Sequence, residues 1–233
     1  DIPPAWQVTL GARLYSYELE TFQAVDFPLL NSVFFGAAPD AINLAFEPGG
    51  QEDEGWLFKF NSSYQFTDDI LGYLTVSEGY RIGNSNGVGP CPVPLPANQL
   101  SCALPNELAY QPDKTLNYEV GLKTQLFDDR LTLNGSAYFI EWSDPQVSSA
   151  TENGLIPITK NGSAAESKGV EVNFICRLAQ AWTVRGSYSY NTSELTEVTP
   201  NLVPRFNPPG FQGTITYEDG MPGDRLPGSP EHQ

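Results

Sequence analysis

Apolar and polar residues alternate with period two along seven stretches of this chain, which is the pattern of β-strands whose two faces meet different surroundings. In the first stretch Trp6, Val8, Leu10, Ala12 and Leu14 point one way, and Gln7, Thr9, Gly11 and Arg13 the other. In the second, Trp56, Phe58, Phe60, Tyr64 and Phe66 oppose Leu57, Lys59, Asn61, Ser63 and Gln65. The third, Leu71 to Arg81, is less clean, with Leu74 and Val76 as its apolar positions. The fourth, Thr115 to Leu126, sets Tyr118, Val120, Leu122 and Leu126 against Asn117, Glu119, Lys123 and Gln125, with Leu116 as a break in the pattern. The fifth opposes Leu131, Leu133, Ala137 and Phe139 to Thr132, Asn134, Ser136 and Tyr138. The sixth opposes Val170, Val172 and Phe174 to Gly169, Glu171 and Asn173, and the seventh Trp182, Val184, Tyr188 and Tyr190 to Thr183, Arg185, Ser187 and Ser189. An eighth strand is predicted to begin near Arg225. No apolar stripe at helical spacing persists over three turns, and Gly and Pro gather between the strands, so the chain reads as all-β.

Charge sorts with this alternation. In the six clear strands Arg13, Lys59, Glu119, Lys123, Glu171 and Arg185 all take the polar parity. Lys168 and Glu141 depart from it, and both are placed at strand ends, where they reach headgroups or water. A lipid-facing surface demands such sorting, because a charge at the bilayer midplane costs ~2–4 kcal/mol. A soluble sandwich also keeps charge off its inner face, so alternation alone does not decide. Two further features favour a transmembrane barrel. The runs are ~9–13 residues long, against ~5–6 for an ordinary strand. The connections also alternate between tight and long. Thr67-Asp68-Asp69, Phe127-Asp128-Asp129-Arg130 and Leu178-Ala179-Gln180-Ala181 are short, whereas the stretches after Tyr15, Arg81, Trp142 and Asn191 are long. Sorted in this way, the tight turns belong on the periplasmic side and the long loops outside. Trp6, Trp56, Trp142, Trp182, Tyr64, Tyr118 and Tyr190 fall near strand ends and are assigned to interfacial aromatic girdles.

Composition narrows the function classes. The formal net charge of −16 opposes nucleic-acid binding, which needs clustered Lys and Arg. The acid is placed mostly in loops, such as Glu47 to Glu54 and Glu194 to Glu197, and read as a solvated surface. No run approaches the ~18 apolar residues of a membrane helix. The opening Asp1-Ile2-Pro3-Pro4 carries no export signal, so any such signal is expected to be absent or removed. Cys91 and Cys102 bracket a Pro-rich loop and are expected to form a disulfide, while Cys176 reads as a small buried hydrophobe. Four Asn-x-Ser/Thr sequons, at Asn61, Asn134, Asn161 and Asn191, are read as chance, two of them inside strands. His232 is the one histidine, and no nucleophile elbow, phosphate-cradling loop or paired carboxylates stand out, so neither catalysis nor a resident cofactor or metal is expected.

Several segments resemble the barrels of TonB-dependent outer-membrane receptors. Asp113-Lys114-Thr115-Leu116-Asn117-Tyr118-Glu119-Val120-Gly121-Leu122-Lys123 is similar to a strand of that family, and Arg130 to Asn134 through Phe139-Ile140-Glu141-Trp142 to the strand that follows it. Ala164-Ala165-Glu166-Ser167-Lys168-Gly169-Val170-Glu171-Val172, Ser77-Glu78-Gly79-Tyr80-Arg81 and Leu226-Pro227-Gly228-Ser229-Pro230-Glu231-His232 resemble further family segments, in the family's order.

The resemblance implies a 22-stranded barrel with a plugged lumen. It also implies a plug domain, an inner-membrane energy complex engaged through TonB, and a scarce ligand such as a ferric siderophore. Residues 1–233 are then an antiparallel barrel portion of about seven to eight strands, with the plug and the final strands outside this chain. On this reading Arg13, Lys59, Glu119, Lys123, Glu171 and Arg185 face the lumen, where they contact the plug, line the ligand path or pair with one another. Tyr80 and Arg81 near the rim, and the loop aromatics Phe34, Phe35 and Phe206, are ligand-contact candidates. The competing reading is a soluble or surface-attached β-rich binding or adhesion module, and a passive porin is a further rival. A barrel exposes its apolar face to lipid, whereas a sandwich buries it.

Overall fold

The computed structural model describes residues 5–23, 47–94, 102–206, 215–228 and 230–233, together with positions 29, 32, 33, 36 and 38. The strands are β1 (Trp6–Gln23), β2 (Glu47–Thr67), β3 (Ile70–Arg81), β4 (Asn84–Ser85), β5 (Ala109–Tyr110), β6 (Asp113–Leu126), β7 (Leu131–Ser143), β8 (Gln146–Ala150), β9 (Pro157–Asn161), β10 (Ala164–Ala179), β11 (Trp182–Leu195), β12 (Thr199–Phe206) and β13 (Ile215–Gly220). Seven of them form one antiparallel sheet in the order β1-β2-β3-β6-β7-β10-β11. These are the seven alternating stretches of the sequence, paired in chain order as a meander. The remaining strands form three two-stranded ribbons, β4-β5, β8-β9 and β12-β13, within the long connections.

Register fixes the two faces, since residues directly opposite in an antiparallel ladder share a side. Leu14, Ala12, Leu10 and Trp6 pair with Trp56, Phe58, Phe60 and Tyr64. Val76, Leu74 and Gly72 pair with Tyr118, Val120 and Leu122, and Val170 pairs with both Ala137 and Tyr190. This apolar face is open: Leu10 is 78% exposed and Trp182 70%. Ten residues make up the buried hydrophobic set among the described residues, most of them in the loops, so the sheet has no core of its own. A wide sheet with one exposed apolar face is the barrel arrangement and not a sandwich, whose apolar face is covered.

The structure corrects several sequence expectations. β1 continues to Gln23 and β2 starts at Glu47, pairing Tyr15–Gln23 with Glu47–Gly55. Glu47 to Glu54 is therefore strand, not loop, and Trp56 lies well inside β2. The run reads as loop because glycine and charge dominate it, but the ladder begun below extends through it. Leu116 does not break its strand; it faces Glu78 and Glu141 on the apolar side. Lys168 sits inside β10 rather than at its end. Tyr118 likewise lies in the middle of β6. Trp142 pairs with Thr115 on the polar face and is not a girdle residue. Cys176 is half-exposed on the apolar face between Leu131 and Val184, not buried. All four sequon asparagines lie in strands. Near Arg225 the chain forms no continuous strand, but it follows β11 through bridges Glu194↔Arg225 and Tyr190↔His232.

Candidate functional site

The polar face of the sheet is a connected wall. Its ladder places Arg13 beside Leu57, Lys59 beside Gly11 and Ser77, Glu119 between Thr75 and Tyr138, Lys123 between Leu71 and Asn134, Glu171 between Ser136 and Ser189, and Arg185 beside Ile175. All six predicted charges thus share one face. They do not converge on one point, being spread over β1, β2, β6, β10 and β11. Glu119 and Lys123 meet around Tyr73, whose hydroxyl donates to Glu119 Oε1 at 2.7 Å and whose ring lies 5.6 Å from Lys123 Nζ. Neighbouring amides add bonds across strands, Asn61 Nδ2 to Thr75 Oγ1 at 2.8 Å and Asn134 Nδ2 to Asn173 Oδ1 at 3.1 Å. Two glycines let tyrosines lie flat on this wall. A Cβ at Gly121 would meet the Tyr73 ring at 2.5 Å, and one at Gly169 the Tyr138 hydroxyl at 2.6 Å.

At the loop end the wall closes on Arg81 and Tyr80. Arg81 Nη2 pairs with Asp113 Oδ2, its Nε donates to the same oxygen at 3.2 Å, and its guanidinium stacks 5.7 Å from the Trp142 ring. Asp113 is 3% exposed and also accepts from Gln146 N. One guanidinium therefore joins β3, β6, β7 and β8. The β2–β3 ladder ends at Lys59↔Ser77. Beyond it Phe58 N donates to Glu78 Oε2 at 2.8 Å. Tyr80 stacks on Tyr15 at 4.0 Å, and Tyr15 donates to Asp53 Oδ2. Phe34 and Phe35 lie outside the described residues, as does the side chain of Phe206 at the end of β12.

The long connections have a core where the sheet has none. Val88, Ala103, Ile156 and Ile158 pack together with Leu108. Among them Glu107, fully buried, accepts from Leu104 N at 2.9 Å and from Glu152 N at 3.0 Å, and faces Lys160 Nζ at 3.4 Å. Lys160 also lies 5.6 Å from the ring of Tyr217, which donates to Thr151 O at 2.6 Å. Burial first, then the charges of Glu107 and Glu152, push the Tyr217 hydroxyl up to about 12. Asn86 bonds both Glu107 O and Thr159 O. Cys91 and Cys102 are joined as a disulfide, with Cα atoms 4.9 Å apart, and Asn153 Nδ2 donates to Cys91 Sγ. Three connections are thereby held as one cap. Sequence reasoning missed Glu107, Lys160, Asn86 and Tyr217, each of which has a partner 45 or more positions away that follows no local pattern. Asp113 opens the family-like stretch, which was the one signal available for it.

The family model for the β-barrel of TonB-dependent receptor-like proteins matches residues 1–233. The chain belongs to this family. It is 24% identical over 137 residues to the pesticin receptor of Yersinia pestis, covering 59% of this chain and 18% of that receptor. Among solved structures, the ferric yersiniabactin uptake receptor FyuA from Yersinia pestis aligns over 99% of this chain and 28% of its own, with TM-score 0.60 and 19% identity. The siderophore receptor PiuA from Acinetobacter baumannii aligns over 100% of this chain and 28% of its own, with TM-score 0.62 and 18% identity. These likenesses establish a shared fold. The chain spans about a fifth to a quarter of the length of these relatives. For a TonB-dependent receptor barrel, a seven-stranded meander is a sector of wall, and the barrel is not closed within it. The family consists of outer-membrane transport receptors and not enzymes.

Proposed function

We propose that this chain is a wall sector of an energy-coupled receptor that imports a scarce ligand, of which a ferric siderophore is the leading class. The observation that carries the reading is the whole-length family match on a sheet with one exposed apolar face and one hydrogen-bonded polar face. The apolar face meets the membrane and the polar face looks into the lumen. Arg13, Lys59, Glu119, Lys123, Glu171 and Arg185 then line the path or contact a plug domain supplied by the rest of the receptor. The tight turns lie in the periplasm, and the cap with its Cys91–Cys102 bond lies outside. Tyr80 and Arg81 act mainly as wall-builders, because each already has a ring or carboxylate partner; a ligand reaching the rim meets their exposed edges. Family membership supports TonB coupling, which needs segments beyond this barrel sector.

The test is uptake by the full-length receptor in its native outer membrane under iron limitation. Radiolabelled iron presented with siderophore panels should accumulate in wild-type cells and not in cells lacking the receptor or TonB. Uptake that persists without TonB would point to a passive channel. A receptor that saturates with no iron complex would remove the siderophore class.

A further inference from the structure

On the parity of the apolar face, a cross-strand row carries charge, as do Glu18, Glu20, Glu52 and Glu54 in the upper β1–β2 hairpin. Glu78 stands opposite Leu116, Leu116 opposite Glu141, Glu141 opposite Glu166 and Glu166 opposite Glu194, with Arg225 bridged to Glu194. Between this row and the tight turns, Lys168 is the one charged residue on that face among the described residues. Its ammonium does not stay in the apolar band: Lys168 Nζ bonds Glu166 Oε1 at 2.7 Å, back toward the row. Below the row the face is Leu10, Phe60, Leu74, Val120, Leu122, Val170, Val172 and their neighbours, many of them exposed.

The row cannot sit in hydrocarbon. Glu141, Glu166 and Glu194 lie on three successive strands, and like charges directly opposite one another repel. That arrangement is tolerable only in polar, high-dielectric surroundings. Its height also fits an edge. Ile70 to Glu78, Leu131 to Glu141, Glu166 to Ala179 and Trp182 to Glu194 separate the row from the turn end of each strand. A tilted strand needs about 10 residues to cross the hydrocarbon layer.

We infer that this row marks the hydrocarbon boundary of the barrel and is the surface that contacts the polar headgroups of the outer leaflet. The inference rests on the proposed barrel orientation. It implies that the upper β1–β2 hairpin and the three-loop cap stand clear of the membrane.

Spin-label depth measurement tests it, on the full-length receptor carrying Cys176→Ser and reconstituted in vesicles of lipopolysaccharide and phosphatidylethanolamine. Single nitroxides replace Val170, Val172, Glu141, Glu166 and Glu54, and each variant is first checked for heat-modifiable mobility. Collision with oxygen reports hydrocarbon, and collision with a nickel chelate reports water. The oxygen-to-nickel ratio should be high at positions 170 and 172, several-fold lower at 141 and 166, and lowest at 54. Positions 141 and 166 reading like 170, or like 54, would overturn the boundary. Their protection from both reagents would replace headgroups with a protein partner. If positions 170 and 172 themselves show no oxygen preference, the barrel reading falls with it.

Discussion

Glu107 is a carboxylate without solvent, held by two backbone N–H groups and Lys160. Removing one side of such a pair strands the other, which costs ~3–5 kcal/mol. Glu107→Ala should therefore unlock the cap while the sheet survives. Hydrogen exchange should quicken at Leu104, Glu152 and around Ile156–Ile158 and stay slow in β6 and β7. Tyr217 adds a pH dependence to the same cluster. Burial and the nearby carboxylates push its folded hydroxyl up to about 12, above the ordinary 10.0, so its contribution is present below pH 10 and is lost as pH rises toward 12. The cap should loosen over that window, and Tyr217→Phe should flatten the change; exchange of the cap amides against pH checks both. On the wall, Gly121→Ala forces the Tyr73 ring off its seat. Overpacking of this kind costs ~1–3 kcal/mol. The expected readout is a lower unfolding temperature by heat-modifiable mobility, with Tyr73→Phe in the same background leaving the loss in place because the ring remains.

At the scale of elements, β10 has two unlike edges to its alternation. Val170 faces out beside Ala137 and Tyr190, whereas Asn173 faces the wall beside Asn134 and Ser187. Val170→Lys should cost ~2–4 kcal/mol of barrel stability. Asn173→Lys should cost far less, since its side of the strand is already polar. Comparing the two in urea unfolding of the reconstituted receptor separates a lipid-facing position from a lumenal one; equal costs would refute the assignment of faces. The upper β1–β2 hairpin has a different weakness. Glu18 stands directly opposite Glu52. Glu52→Lys converts a repulsive cross-strand pair into an attractive one, a gain of about 0.5 kcal/mol or less. Slower amide exchange from Ser16 to Leu19, reversed by high salt, is the expected sign.

At the scale of the molecule, β1 has no partner on its far side among the described residues, and β11 is only partly followed, through bridges at Arg225 and His232. Open edges of this length are not tolerated in lipid, where each unpaired peptide group costs several kcal/mol. Residues 1–233 expressed alone should give no heat-modifiable band, and the full-length receptor should give one. An isolated segment that inserts and resists denaturation on a gel would mean that the edges close in some other way. The cap belongs to this scale as well. Its hydrophobic cluster and buried ion pair join the β3–β6 and β7–β10 connections, and Tyr217 ties the β12–β13 ribbon to them, so three connections are held as one body.

While the pairing order of the strands came from the structure, alternation by itself determined the seven main strands and the face taken by each of the six wall charges. These are consequences of a period-two backbone with unlike surroundings on its two sides, and Trp6 to Leu14 or Leu131 to Phe139 display it without help from distant residues. Strand ends were less legible. Glu47 to Glu54 reads as acidic loop because cross-strand pairing with Tyr15–Gln23, not local composition, extends it. Trp142 reads as a girdle residue in the sequence because position near a strand end says nothing about face until register is known. Only the tertiary structure decided that Arg81 is tied to Asp113 and Trp142, that Tyr80 stacks on Tyr15, and that Glu107 anchors a cap. Those contacts join residues far apart in sequence across connections without periodicity, and a buried charge finds its partners through the fold and not through the chain.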